Sequence, residues 1–444
     1  MTHVKNNQQD ILKDIFIKRD SKNFDENGFV MTFKDLFQTN FRDKFPNNFD
    51  KWTVKQQCSW LIDNIAVFFP NTPQSLLSFI PGSYCQLDYN NRSIEELPNW
   101  MDIDKYRKGQ QFWHKNYAAI LISKLIGLTY VYTFDDELKP IIIGGNEHTP
   151  YLAFRRYMST IKRMSNWYEG EPWIKGTDAY KDMRVTRSMH LQIRQKLCGM
   201  SHEQIAAKCT LANPWNPDRE LLLKDFSAAC PPEKHGQRPQ QISQKSSYRP
   251  KGLNNSDFAM TQYLFVVFPL LYPHSIGIHD ATDDDLEAFC HVWKCYGYFL
   301  GIDDEYNFCR GTLDEIKQRA NDIYHYWIRQ NFKEITPEWE HITRCFIICL
   351  NYVPLVYLPY KVGILILTNI LNINMPHLYA SLNYAEWMTY KFYKFMFYGM
   401  KFSSVRKTVN KIVRHVFYQA YNFGEKELEI IHKKSNKLLP DFSL

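Results

Sequence analysis

The sequence lacks most of the short signals that mark common enzyme classes. Its ten cysteines, at 58, 85, 198, 209, 230, 290, 295, 309, 345 and 349, form no Cys-x-x-Cys pair, which excludes the usual zinc and dithiol-redox spacings. It has no glycine-rich phosphate loop, no Gly-x-Ser-x-Gly elbow and no His-Glu-x-x-His pair, so nucleotide-binding, serine-hydrolase and common zinc-protease readings drop out. An excess of one charge is also missing: 54 Lys and Arg face 47 Asp and Glu, and the net +7 is scattered among acids. That leaves no basic stripe for a nucleic acid. The first twenty residues, MTHVKNNQQDILKDIFIKRD, contain no apolar h-region. A cleaved signal peptide is therefore not expected, and reduced, buried thiols are the better reading of the cysteines. Strand signals are sparse and no internal repeat is evident.

What is abundant is aromatic and helical. Phe, Tyr and Trp make up 16% of the 444 residues, a share suited to apolar pockets or a lipid-facing surface. The length allows roughly two to three structural units with room for a buried cofactor. Residues 1–100 read as an N-terminal helical extension with Asn, Asp and Pro breaks. Within it, WTVKQQCSWLIDNIAVFF from Trp52 repeats apolar residues at helical spacing. Residues 101–330 carry the strongest helical pattern: QQFWHKNYAAILISKLIGLTYVY, then TPYLAFRRYMSTIKRMSNWY, then TDAYKDMRVTRSMHLQIRQKLCGM, with MTQYLFVVFPLLYP and DATDDDLEAFCHVWKCYGYFLGI further on. Thr149-Pro150, Thr177 and Thr282 read as helix starts and Gly144-Gly145 as a turn. The stretch 228–255 is rich in Pro, Gln, Ser and Lys and reads as a surface loop.

Residues 331–444 form an apolar helical region. From Cys345 to Tyr360 no side chain is charged, and a second uncharged run follows Lys361. Each run is shorter than the roughly 20 residues of a spanning helix, so a buried hairpin is favoured over an interfacial anchor. Beyond it, Lys391, Lys394, Lys401, Arg406, Lys407, Lys411 and Arg414 alternate with aromatic and aliphatic residues, a pattern that suits an anionic membrane surface.

The chemistry concentrates in RVTRSMHLQIRQKL. On a helix Arg187, His190 and Arg194 share one face. An imidazole between two guanidinium groups makes sense when an anionic group lies against that face. Haem supplies both an iron for the imidazole and propionates for the arginines. On spacing alone, a half-exposed histidine with two solvated arginines is the plainer reading. In FRRYMSTIKRM, Arg156 and Thr160 also share a face, next to Tyr157 and Ile161. A basic-and-hydroxyl face suits a dioxygen pocket; an amphipathic helix with an exposed Arg155-Arg156 pair is the alternative. His274, His279 and His291 read as ordinary core or surface histidines, whereas His114, beside Trp113, could line the pocket, although nothing in the spacing requires it.

The order R-R-x-x-x-T followed, about thirty residues on, by R-x-x-H-x-x-x-R resembles the haem-binding signature of the latex-clearing-protein (rubber oxygenase) and MpaB oxygenase family. YRKGQQFW, MTQYLFVVFPLLYP and HVWKCYGYFLGI, with Trp293, Gly297 and Leu300-Gly301-Ile302, are similar to further family segments. The resemblance spans roughly residues 100 to 312. It implies an all-α, globin-like helical core around haem b. His190 resembles the proximal iron ligand, Arg194 its supporting helix-mate, and Arg156 and Thr160 the distal pocket residues. Arg187 is inferred as a propionate partner. Ser159 stands where the rubber oxygenases carry a lysine able to act as sixth ligand, so an open or water-filled sixth position is expected. The family's catalytic glutamate has no clear counterpart: Pro140 stands near its place, with Glu137 and Glu147 to either side.

The resulting expectation is a haem b-dependent oxygenase that uses O2 for oxidative attack on a C=C bond of an apolar, isoprenoid-like substrate. It would be cytoplasmic or associated with the endoplasmic-reticulum membrane, not secreted, and would meet a membrane surface through residues 345–415. A non-catalytic haem- or lipid-binding relic and a membrane-interface protein are the alternatives.

Overall fold

Side-chain caps set the helix starts. Thr149 accepts a hydrogen bond from the Leu152 amide with Pro150 in the first turn, Thr177 accepts from Tyr180, and Thr282 with Asp285 forms a reciprocal capping box. Each satisfies amides that would otherwise be left without partners at a helix N-terminus. Gly145, at φ +73°, closes the preceding helix in the left-handed conformation that only glycine adopts cheaply. The computed structural model describes residues 23–39, 41–89 and 92–439. The signal-peptide reading of the first twenty residues lies outside them. The described chain is all-α, as expected. Its only extended pairings are the isolated bridges Phe24–Cys85 and Gln86–Asn254.

The N-terminal extension holds helices α1 (Glu26–Phe33) and α2 (Val54–Asp63), which pack together around their own phenylalanine-rich cluster, including Phe29, Phe33, Phe37, Phe49 and Phe68. A much larger core runs from Leu76 to Leu439 without a break at residue 330. Its central helices are α3 (Ile103–Lys115), α4 (Tyr117–Val131), α5 (Asp135–Gly144), α6 (Pro150–Glu169), α7 (Asp178–Cys198), α8 (Asn255–Leu271) and α9 (Asp283–Phe299). The single long helix implied by QQFWHKNYAAIL is broken at Asn116, which is fully buried and donates from its side chain to the Phe112 carbonyl. Helix α3 lies along α9, α4 along α8, and α6 along α7. Gly109 lets α3 approach α9 closely, since a Cβ there would strike the Ala288 carbonyl.

The apolar C-terminal region folds into the same core. Helices α10 (Pro337–Cys349) and α11 (Tyr360–Ile370) are buried almost throughout and pack against α6 and α4 respectively, in line with the buried-hairpin reading. Among the described residues no single helix is long and apolar enough to cross a membrane. Helices α12 (Tyr384–Gly399), α13 (Ser403–Tyr421) and α14 (Glu425–Leu438) lie on the outside. The stretch 228–255 is pinned rather than loose. Arg238, 3% exposed, is clamped by Glu233 and Glu334, and the Trp327 indole donates to the Gln237 carbonyl. Among the described residues no disulfide joins any of the ten cysteines, and Cys198 alone among them is exposed.

Candidate functional site

Helices α4 to α9 line a cleft of about 290 Å³, at the small end of the roughly 300–1,000 Å³ of small-molecule pockets. Its walls are mostly apolar, with Lys124, Glu137, Arg156, Thr160 and His190 as conspicuous exceptions. The helix that forms one wall is poorly packed where it matters. From Arg184 to Lys196, α7 has no fully buried residue, and Met189 on the cavity face is 43% exposed. A helix over a core normally buries an apolar stripe. Here the stripe is shared: Ile193 packs against Ile143, Leu197 and Ile205, while Thr186, Met189 and His190 border the cleft.

His190 points into that cleft, together with Thr186, Met189 and Ile193 at helical spacing. Its ring stands edge-on to Phe258, with centroids 4.8 Å apart. Nδ1 is shut away from solvent and has no hydrogen-bond partner among the described residues. Such an orphan costs about 1–3 kcal/mol. Burial, helped by the Arg156 charge, pushes the imidazole down to about 4. The ring is therefore neutral at physiological pH, the form that ligates a metal. The cation acting on it comes from α6, not from its neighbours on α7.

Those neighbours are engaged elsewhere. Arg187 donates through Nη2 to the carbonyls of Tyr89 (2.7 Å) and Arg92 (2.9 Å) and lies over the Tyr89 ring, so it fastens the N-terminal segment to α7. Neither Arg187 nor Arg194 lines the cleft. Arg156 and Thr160 do, as their shared helical face requires. The Arg156 guanidinium is ion-paired with Glu147, whose side chain is completely buried. Tyr157 donates to the second Glu147 oxygen at 2.6 Å, and the Tyr132 and Tyr157 hydroxyls are 2.5 Å apart. Ser159, one position before Thr160, falls outside the lining.

Two groups in the cleft were not singled out by motif. Glu137 borders it, with Oε1 buried and unpartnered and Oε2 accepting from the Thr261 hydroxyl at 3.4 Å. Burial, then the neighbouring Asp257 and Asp136, hold its carboxyl well above the ordinary range, toward the protonated form. Lys124 projects from α4, ringed by aromatics and 4% exposed. Its sequence signal was there: from Asn116 to Phe134 it is the only charged residue. Trp293, Gly297, Leu300 and Ile302, drawn from one sequence segment, all reach the cleft. Among the other histidines, His291 accepts from the Asp102 amide at 3.2 Å, His274 and His279 face each other at 3.2 Å, and His114 meets Arg414 at 3.1 Å. None of the four lines the cleft.

Haem b is a fair test object for this donor set. The ligand half fits: a neutral, inward-facing imidazole bordering an apolar cleft. The propionate half does not, because Arg187 and Arg156 already have partners. No family model, no curated protein and no solved structure matches the chain.

Proposed function

We propose that the chain is a haem b-dependent oxygenase with a globin-like helical core, acting with O2 on a C=C bond of an apolar, isoprenoid-like substrate. The observation that supports this reading is His190: a neutral imidazole with an orphaned nitrogen, bordering an apolar cleft. When bound there, haem b supplies the redox chemistry of oxygen activation. The protein's own contribution follows from its side chains. His190 holds the group. The Thr160 hydroxyl and the Arg156 edge, fixed by Glu147, orient a polar ligand on the opposing helix. Glu137, shifted toward its protonated form, sits where a proton can be given or taken within the cleft. The apolar walls select a greasy substrate and exclude water. In this reading Arg187 is a structural clamp rather than a propionate partner, and Ser159, outside the cleft lining, would not help to hold the group.

A second reading, favoured by a separate observation, adds a membrane surface. Helix α12 exposes Tyr384, Phe392, Phe395 and Tyr398, the first at 77%, beside Lys391, Lys394 and Lys401. An exposed aromatic face with lysines suits an anionic bilayer interface. It accords with a protein that is cytoplasmic or bound to the endoplasmic-reticulum membrane and draws an apolar substrate from lipid. A non-catalytic haem- or lipid-binding protein would use the same cleft without turnover.

The test is the ultraviolet-visible spectrum of the purified protein with a pyridine haemochrome assay, repeated on His190→Ala. A Soret band that the substitution abolishes supports the reading. Folded, colourless protein that refuses added hemin overturns it.

A further inference from the structure

A lysine in an apolar wall needs a reason. On α4 the cleft-lining positions are Leu121, Lys124, Leu125, Leu128 and Val131, one helical stripe in which a single amine interrupts the aliphatic run. Long cationic side chains usually carry their ammonium group to water, but Lys124 does not. Its Nζ lies 4.5, 5.0 and 5.5 Å from the ring centres of Tyr168, Trp293 and Phe265. The cage is stiff, because Trp113 stacks on Tyr168 at 4.5 Å and Phe265 on Trp293 at 4.2 Å. The one polar contact of Nζ is the Tyr168 hydroxyl, 3.1 Å away. No carboxylate among the described residues pairs with it. Burial alone drives the amine well below its ordinary value, and burial also raises the Tyr168 phenol, which stays protonated. An unpaired charge in such a place would be costly. What remains is an amine shifted toward its free-base form, bordering a cavity and touching a phenol.

We propose that Lys124 is a Schiff-base site: its amine condenses with the aldehyde or ketone group of an apolar ligand held in the cleft. The Nζ lone pair attacks the carbonyl carbon and the C=O pair moves onto oxygen. A proton passes from nitrogen to that oxygen, with the Tyr168 hydroxyl in place to relay it. Water then leaves as the C=N bond forms, and no electrons are gained or lost overall. Desolvation is a recognised way of making a lysine nucleophilic. The same burial that disfavours charge on the amine keeps the resulting imine neutral. This inference needs only the cleft and not the haem of the preceding section.

The experiment incubates full-length protein with decanal and sodium cyanoborohydride at a pH of about 6.5, where ordinary lysines, near 10.4, are protonated. Intact mass and peptide mapping then read the adduct. The expected result is one decyl group per chain, on the peptide holding Lys124, at least tenfold above any other lysine, and lost in Lys124→Met. The wild-type map locates the adduct even where the variant folds poorly. Labelling spread over surface lysines, with the Lys124 peptide unmodified in protein of native circular dichroism, overturns the proposal. A colourless protein that gives the adduct refutes the haem reading alone; a haem-loaded protein that gives none refutes this one alone.

Discussion

Two kinds of charged group face the same cleft, and they are treated in opposite ways. On α6, Arg156 is matched by a fully buried Glu147, which Tyr157 also satisfies. On α4, α5 and α7, Lys124, Glu137 and His190 have no opposite charge, and burial moves each toward its neutral form. The first arrangement is how a fold makes a buried charge tolerable. The second leaves acid, base and nucleophile in their reactive protonation states, which is where functional chemistry concentrates. One wall is held by charge, and the others keep theirs suppressed.

Breaking the paired side should cost the most. Glu147→Gln leaves the Arg156 guanidinium without its partner, and about 2–3 kcal/mol of stability should go. That is less than a fully buried pair would lose, because Arg156 is 31% exposed. Urea unfolding measures it, and an unchanged midpoint would show that the ion pair is incidental. Arg187→Met, which removes two hydrogen bonds to backbone carbonyls, should cost about 1–2 kcal/mol while leaving any Soret band in place. Loss of the band in that variant would return Arg187 to the cofactor.

The unpaired side should answer to pH instead. The folded pKa of Glu137 lies above its unfolded value, so its contribution is complete below the ordinary carboxylate range near 4.5 and is lost as pH rises toward the folded pKa. Thermal midpoints of the wild type should therefore fall above that range, and Glu137→Gln should flatten the slope; parallel curves would contradict the shift. The smallest effect belongs to Lys124→Met. Replacing a suppressed amine by a chain of similar volume should change stability by less than about 1 kcal/mol, with a gain as welcome as a loss. A cost as large as that of Glu147→Gln would mean that Lys124 is charged and paired after all.

The all-α class, the capped starts at Thr149, Thr177 and Thr282, and the inward face of His190 were legible because they depend on spacing of three and four residues. Arg156 and Thr160 reach the cleft for the same reason. The roles of the arginines were not legible. Arg187 and His190 share a helical face in projection, but the Tyr89 and Arg92 carbonyls capture the guanidinium. No local pattern encodes a contact nearly a hundred residues away. Glu147 as the partner of Arg156 was hidden likewise, since it lies in the turn before α6. Lys124 and Glu137 carried local signals, a lone cation in an apolar run and an acid near Pro140, but a signal of that kind becomes a site only once the cleft exists. Helices α10 and α11 add to the core that α4 and α6 begin, a long-range packing that no local pattern around residue 330 records.

Hydrogen exchange across Arg184–Lys196, with and without hemin, bears most directly on the claim that the cleft under α7 awaits a ligand held by His190. In the wild type the amides of this segment should exchange readily and gain protection when hemin is added, while His190→Ala should show no change. A segment already as protected as α4 in the free protein, or one that hemin leaves untouched in well-folded wild type, would contradict it.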